Sequence, residues 1–223
     1  MIALSRRLLA EFLGTAILLA VVVGSGIMGA NLANGNDAVA LLANAAATAA
    51  ALYVLITLLA PISGAHFNPA VTLVARIHGE MSNAQAIAYV VAQVVAAVVG
   101  VVLAHAMFGL ALIQSGTHVR AGAAQWLSEG VATFGLLLTI LLGRRFKTAS
   151  IPALVASYIF AAYWFTASTS FANPAVTFAR ALTQTFAGIR PEDVPGFVVA
   201  QIVGAIIAIF FASTLIGRSE APR

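Results

Sequence analysis

The pentapeptide Asn-Pro-Ala-Val-Thr occurs twice in this chain, at residues 68–72 and again at 173–177. Each copy follows a long apolar run and leads into a further turn or two of helix. Asparagine is a strong helix N-cap, and proline is favoured at the first helical position, where its missing N–H would be unpaired in any case. Asn68 and Asn173 therefore mark the starts of two short helices. A helix start carries unpaired N–H groups and needs partners. A chain that puts two such starts inside its apolar mass is restricted to very few folds.

The apolar mass itself is plain. Of 223 residues, 61% are hydrophobic and 8% charged, with a mean hydropathy of +1.01; soluble domains carry about a quarter charged residues. A spanning helix takes about 20 apolar residues, so the chain can hold six, with little length left for any soluble domain. The eleven Lys and Arg against seven acids are too few and too scattered for a nucleic-acid surface. There is no cysteine, hence no disulfide, no thiol nucleophile and no Cys-ligated metal site. Neither a Ser-His-Asp order nor a metal-ligand cluster nor a phosphate loop is present, so no cofactor and no enzymatic chemistry are expected.

Read in order, the expected spans cover residues 8–28, 38–60, 84–108, 125–142, 149–167 and 196–216. The two short helices run over 69–77 and 174–185. The first span is too long for a secretory signal and has Glu11 within it. Pro61 and Gly64 end the second span, and residues 143–147 form a tight basic turn. With both termini on the cytoplasmic side, that side holds Arg6, Arg7, Arg76, Arg144, Arg145, Lys147, Arg218 and Arg223. The other side holds Arg120, Arg180 and Arg190. Eight against three is a positive-inside bias.

The halves repeat. Glu11-x-x-x-Thr15 matches Glu129-x-x-x-Thr133, the two Asn-Pro-Ala-Val-Thr copies match, and Tyr89-Val-Val-Ala-Gln93 matches Phe197-Val-Val-Ala-Gln201. Each half, about 1–115 and 116–223, holds an odd number of spans, so the second enters the membrane inverted. Inverted repeats place sites near the bilayer midplane between broken helices. Two half-helices entering from opposite faces meet at their N-termini, each carrying roughly +0.5 charge. That point repels cations and disfavours a travelling proton, while neutral solutes meet it as hydrogen-bond donation. If each Asn oxygen caps its own helix, its NH₂ is left for the lumen, and the carbonyls of 61–67 and 167–172 supply acceptors along the path.

Over nearly its whole length the chain resembles the major intrinsic protein family, the aquaporins and aquaglyceroporins. The resemblance rests on Asn68-Pro69-Ala70, Asn173-Pro174-Ala175 and the stretch Ser63-Gly-Ala-His66-Phe-Asn. It implies an all-α membrane fold of six spanning helices and two re-entrant half-helices in one channel domain. It further implies a homotetramer with one pore per subunit, in a bacterial inner membrane. Glu11 and Glu129 match buried glutamates that accept hydrogen bonds from the re-entrant loops, and His66 falls in the cytoplasmic vestibule.

One departure stands out: the family's second motif continues with arginine, and here the position is Val176. By spacing, the other constriction positions are Thr48, Ala161 and Ser170. All four are small or neutral, which implies a wide, uncharged opening and resembles a bacterial branch associated with arsenic resistance. Small uncharged solutes are the expected cargo: glycerol-like polyols, neutral metalloid hydroxides such as arsenous acid, methylated arsenicals, and water. A water-selective channel and a coupled transporter are the alternatives. Arg180, one turn beyond Val176, is a candidate substitute for the missing charge. His105, alone in an apolar span, reads as a packing residue.

Overall fold

The computed structural model describes residues 2–217, so Arg218 and Arg223 of the charge count lie outside the described residues. Eight α-helices follow one another: α1 (Leu4–Leu32), α2 (Asp37–Ser63), α3 (Pro69–Ile77), α4 (Asn83–Met107), α5 (Ala123–Phe146), α6 (Ile151–Phe165), α7 (Pro174–Arg180) and α8 (Val194–Ile216). Short 3₁₀ turns, Thr148–Ser150 and Pro191–Asp193, precede α6 and α8. Six of the helices are long and apolar enough to cross a membrane, and α3 and α7 are not. At 1.5 Å per residue those two rise only about 14 and 10 Å, a fraction of the ~30 Å hydrocarbon layer.

Each helix begins and ends where local chemistry dictates. Asn36 caps α2 by accepting from the N–H groups of Ala38 and Val39, and Ser82 forms a reciprocal capping box with Gln85 at the start of α4. Gly64 closes α2 in the left-handed conformation at φ 91°, which a residue with a Cβ adopts at a cost. Pro61 does not end α2 as expected. It lies inside the helix, which continues for two more residues to Ser63.

Two other boundaries differ from the sequence reading. The basic turn expected at 143–147 is largely helical, because α5 runs on to Phe146. The second half-helix ends at Arg180 instead of near 185. There the chain turns back, with Ile189 N–H bonded to the Arg180 carbonyl and Gly116 N–H to that of Ala181.

The packing matches pairwise across the repeat. Helix α1 packs on α4 and α2, as α5 packs on α8 and α6. Helix α3 lies against α4 and α8, as α7 lies against α8 and α4, and α2 meets α6. Two glycines set the closeness of the main pairs. A Cβ on Gly100 would stand 2.3 Å from the Ala16 carbonyl oxygen, and one on Gly204 would stand 2.2 Å from that of Gly130. Small residues at such crossings let backbones approach where lipid supplies no hydrophobic driving force. The outward faces of the spans, including Leu9, Leu13 and Ile17 of α1 and Val199, Val203 and Ile206 of α8, are exposed and apolar, as a lipid-facing surface requires.

Candidate functional site

The two short helices meet at their N-termini. Asn68 Oδ1 accepts from the Ala70 N–H at 2.8 Å, and Asn173 Oδ1 from those of Ala175 and Val176 at 3.0 and 3.3 Å. Each side chain also reaches across the repeat: Asn68 Nδ2 donates to the Ala172 carbonyl at 2.7 Å and Asn173 Nδ2 to that of Phe67 at 2.8 Å. The expectation that both N–H groups face the lumen is corrected here. One hydrogen of each amide ties the opposite loop, leaving the second for a solute. The loops are thus locked to each other at the point where their positive helix ends converge.

Behind each loop sits a buried glutamate. Glu11 of α1 accepts from the Ser63 hydroxyl (2.7 Å), the N–H groups of His66 (2.9 Å) and Phe67 (2.7 Å), and the Gln93 amide (2.8 Å). Glu129 of α5 accepts from the N–H groups of Phe171 (2.8 Å) and Ala172 (2.9 Å) and from Gln201 (2.6 Å). Gln93 and Gln201 each donate a second bond, to Thr72 and Thr177. A carboxylate at this depth is tolerable because its lone pairs are taken by several buried donors. The sequence marked Gln93 and Gln201 as repeat anchors but gave them no role; their recurrence at matched positions was the signal.

A cavity of about 540 Å³ runs past these loops. At one end it is bordered by Glu80, Arg144 and Thr148, with a two-pronged Arg144–Glu80 ion pair at 2.8 and 2.9 Å. Its middle is walled by His66, Asn68 and Asn173, and aliphatic side chains of α1, α2, α5 and α6 complete it. His66 Nδ1 lies 3.1 Å from the Thr72 hydroxyl. At the other end stand Thr48, Tyr163, Ser170, Phe171, Val176 and Arg180.

Of the four constriction residues expected from spacing, three line this cavity and one does not. Ala161 is on the exposed outer face of α6. Beyond its first turn, the residues that α6 turns inward are Val155, Ile159 and Tyr163, which recur every four positions and so share one face, whereas a residue two positions away points elsewhere. Tyr163 stands where alanine was expected, its hydroxyl 3.3 Å from Thr48 Oγ1. Sequence reasoning missed it; the four-residue spacing from Ile159 and Val155 was the available signal.

Two arginines surround Phe171. Arg180 is 2% exposed, with its guanidinium carbon 3.4 Å from the Phe171 ring centroid and its Nε donating to the Ala187 carbonyl. Arg120, from the loop before α5, donates to the carbonyls of Gly188 (2.9 Å) and Ser168 (3.2 Å), and its backbone N–H donates to Asp193 at 2.7 Å. Its guanidinium carbon is 5.1 Å from the same ring. Burial disfavours its charge and pushes the guanidinium below the ordinary arginine value. His105 is fully buried and satisfied, by the Leu112 carbonyl at 2.9 Å and the Thr183 hydroxyl at 2.8 Å, and it does not line the cavity.

Six membrane-length helices, two half-helices meeting head to head and a cavity threading between them define a membrane channel. Residues 1–164 match the major intrinsic protein family. Aquaglyceroporin AqpS of Rhizobium meliloti (strain 1021) is 58% identical over 206 residues, covering 92% of this chain and 88% of that protein. Aquaporin TIP1-1 of Arabidopsis thaliana is 37% identical over 137 residues, covering 59% of this chain and 54% of its own length. The solved structure of the aquaglyceroporin from Plasmodium falciparum shares the fold, with a TM-score of 0.75, 17% identity and coverage of 96% and 97% of the two chains. The chain belongs to the major intrinsic protein family, and it is a channel for small neutral solutes, not an enzyme.

Proposed function

We propose that this channel equilibrates small polyols and neutral hydroxides, glycerol and arsenous acid among them, through an opening that is apolar where the family carries an arginine. Methylated arsenicals are the larger end of the same class. The observation that carries the reading is Val176 lining the cavity beside Ser170 and Thr48. An isopropyl side chain there leaves width and an apolar edge, and the hydroxyls opposite leave hydrogen-bonding groups for a solute. The converging N-termini at Asn68 and Asn173 disfavour cations at the midplane. Pro69, Ala70, Pro174 and Ala175 set that geometry, because proline at the first position and a small second residue let the two helix starts abut. His66 stands in the vestibule, and Glu11 and Glu129 hold the loops.

A water-selective channel is the second reading, favoured by the contact between Tyr163 and Thr48 across the cavity. The inverted repeat, about 1–115 and 116–223, the cytoplasmic placement of both termini, assembly as a homotetramer and residence in a bacterial inner membrane complete the proposal. The repeat is supported by the matched packing and the positive-inside bias supports the orientation. The bacterial origin of the relative AqpS supports the membrane.

Stopped-flow light scattering of proteoliposomes, with water, glycerol and arsenous acid presented separately, tests the reading. Glycerol and arsenous acid are expected to enter readily, and Val176→Arg to reduce both while sparing water. Water alone passing through the unmodified protein would establish the second reading instead.

A further inference from the structure

We propose that Arg180, reaching the cavity from one turn beyond Val176, is the fixed positive charge of the outer constriction. Phe171 holds it in place and Arg120 reinforces it from beside the same ring. The inference rests on the channel reading and names how such a channel, without an arginine at position 176, excludes cations.

Positions 176 and 180 lie four apart on α7 and therefore on one face, and both line the cavity. Among the described residues the Arg180 side chain makes one hydrogen bond, from Nε to the Ala187 carbonyl. Its terminal nitrogens have no protein acceptor, although the residue is 2% exposed. No carboxylate pairs with it: the described ion pairs are Arg144–Glu80, Arg190–Glu192 and Arg190–Asp193. Glu129, the α5 acid that holds the neighbouring loop, is committed to Phe171, Ala172 and Gln201. Asp193 is committed to the Arg120 backbone and to Arg190. Buried Arg180 and half-buried Arg120 thus stand beside two carboxylates that are both committed elsewhere, at one end of a cavity walled largely by apolar side chains, where a field is screened far less than at an open surface. Ser170, whose hydroxyl is buried without a partner, lines the same stretch.

The absence of cysteine from the chain gives a direct test. Ser170→Cys introduces a single thiol into this stretch, and in proteoliposomes its modification by anionic sulfonatoethyl and cationic trimethylammonioethyl methanethiosulfonate is followed. Each rate is divided by that reagent's rate with a free thiol. The normalised ratio is expected to favour the anion by about tenfold or more, and to fall close to one when Arg180→Met is added. A ratio near one with Arg180 intact overturns the proposal; so does a large ratio that survives Arg180→Met, which assigns the field to Arg120 alone. Should the double variant fail to insert, Arg180→Gln takes the place of Arg180→Met: a ratio near one supports the assignment and a ratio that stays high overturns it. Glycerol entry by the unmodified protein is measured in the same preparation. Its absence would count against the channel reading and not against the charge.

Discussion

Glu129→Gln changes one atom in the shell that holds the second re-entrant loop, and the structure sets the size of the effect. The carboxylate accepts three bonds: Phe171 N–H on Oε1, and Ala172 N–H with the Gln201 amide on Oε2. Glutamine keeps one acceptor oxygen and replaces the other with an NH₂. Its better orientation puts the NH₂ toward Phe171, so that one buried backbone donor faces another. An unpaired buried donor costs about 1–3 kcal/mol, and bonds to a charged acceptor sit at the upper end of that range. The expected destabilisation is therefore about 2–3 kcal/mol. Glu129→Ala, which strands both backbone donors, should cost about 4–6 kcal/mol by the same reckoning. Unfolding of the purified protein in mixed detergent micelles, followed by Trp fluorescence, measures both. If Glu129→Gln lies within about 0.5 kcal/mol of the parent, the loop is held by packing and the hydrogen-bonding argument is wrong. Glycerol entry should fall with Glu129→Ala before the protein unfolds, because Ala172, whose carbonyl receives Asn68, is one of the two residues released.

Tyr163→Ala removes the ring that stands where alanine was expected; it should admit larger polyols such as erythritol several-fold faster in proteoliposome swelling, and an unchanged size limit would place the constriction elsewhere. Gly204→Ala drives a Cβ to 2.2 Å from the Gly130 carbonyl oxygen and 3.1 Å from the Phe134 nitrogen, which α5 and α8 can relieve only by separating, at about 1–3 kcal/mol. Gly130→Ala meets nothing closer than the Ala200 oxygen at 3.6 Å and should be close to neutral in the same unfolding assay.

The fold was readable because a membrane chain advertises its elements. Each span is a long apolar run, and each half-helix announces itself by Asn-Pro, so Pro69–Ile77 came out with the observed bounds. The loop-holding glutamates were readable for a related reason, since a lone carboxylate in an apolar helix needs partners and its repeat named the second. What escaped was governed by rotation and by contacts distant in sequence. Counting back from Asn173 to find the inward residue of α6 assumes that the intervening segment, 166–173, has a known path. With α6 ending at Phe165, the inward residue is Tyr163. The early stop of α7 was equally hidden, because it follows from the Ile189 N–H reaching the Arg180 carbonyl and the Gly116 N–H reaching that of Ala181, partners nine and 65 residues away. The reach of each Asn side chain to the other loop is of the same kind.

The two re-entrant loops repeat one another in backbone as well as in motif, and this exposes a place where the sequence has not relaxed. Residues with positive φ occur four, three and one positions before each asparagine: Gly64, Ala65 and Phe67 in the first loop, Thr169, Ser170 and Ala172 in the second. In L-residues this conformation costs about 1–2 kcal/mol each, and the hydrogen bonds to Glu11 and Glu129 help to hold it. At the first of the three positions one loop has glycine, which adopts φ 91° freely, while the other has a β-branched threonine at φ 61°, the type least suited to it. Among the described residues the Thr169 side chain has no hydrogen bond to repay the strain; its backbone N–H bonds to the Thr166 carbonyl at 3.2 Å, which glycine would keep. Thr169→Gly should relieve about 1–2 kcal/mol of strain against about 0.5–1 kcal/mol of extra entropy lost on folding. The result is a net gain of about 0.5–1 kcal/mol in micelle unfolding, with glycerol entry preserved. A loss of 1 kcal/mol or more would show that the threonine stiffens the loop beyond what its strain costs. Gly64→Thr makes the reverse exchange and should then be destabilising by more than Thr169→Gly gains, because a Cβ at Gly64 also meets the His66 ring at 3.2 Å.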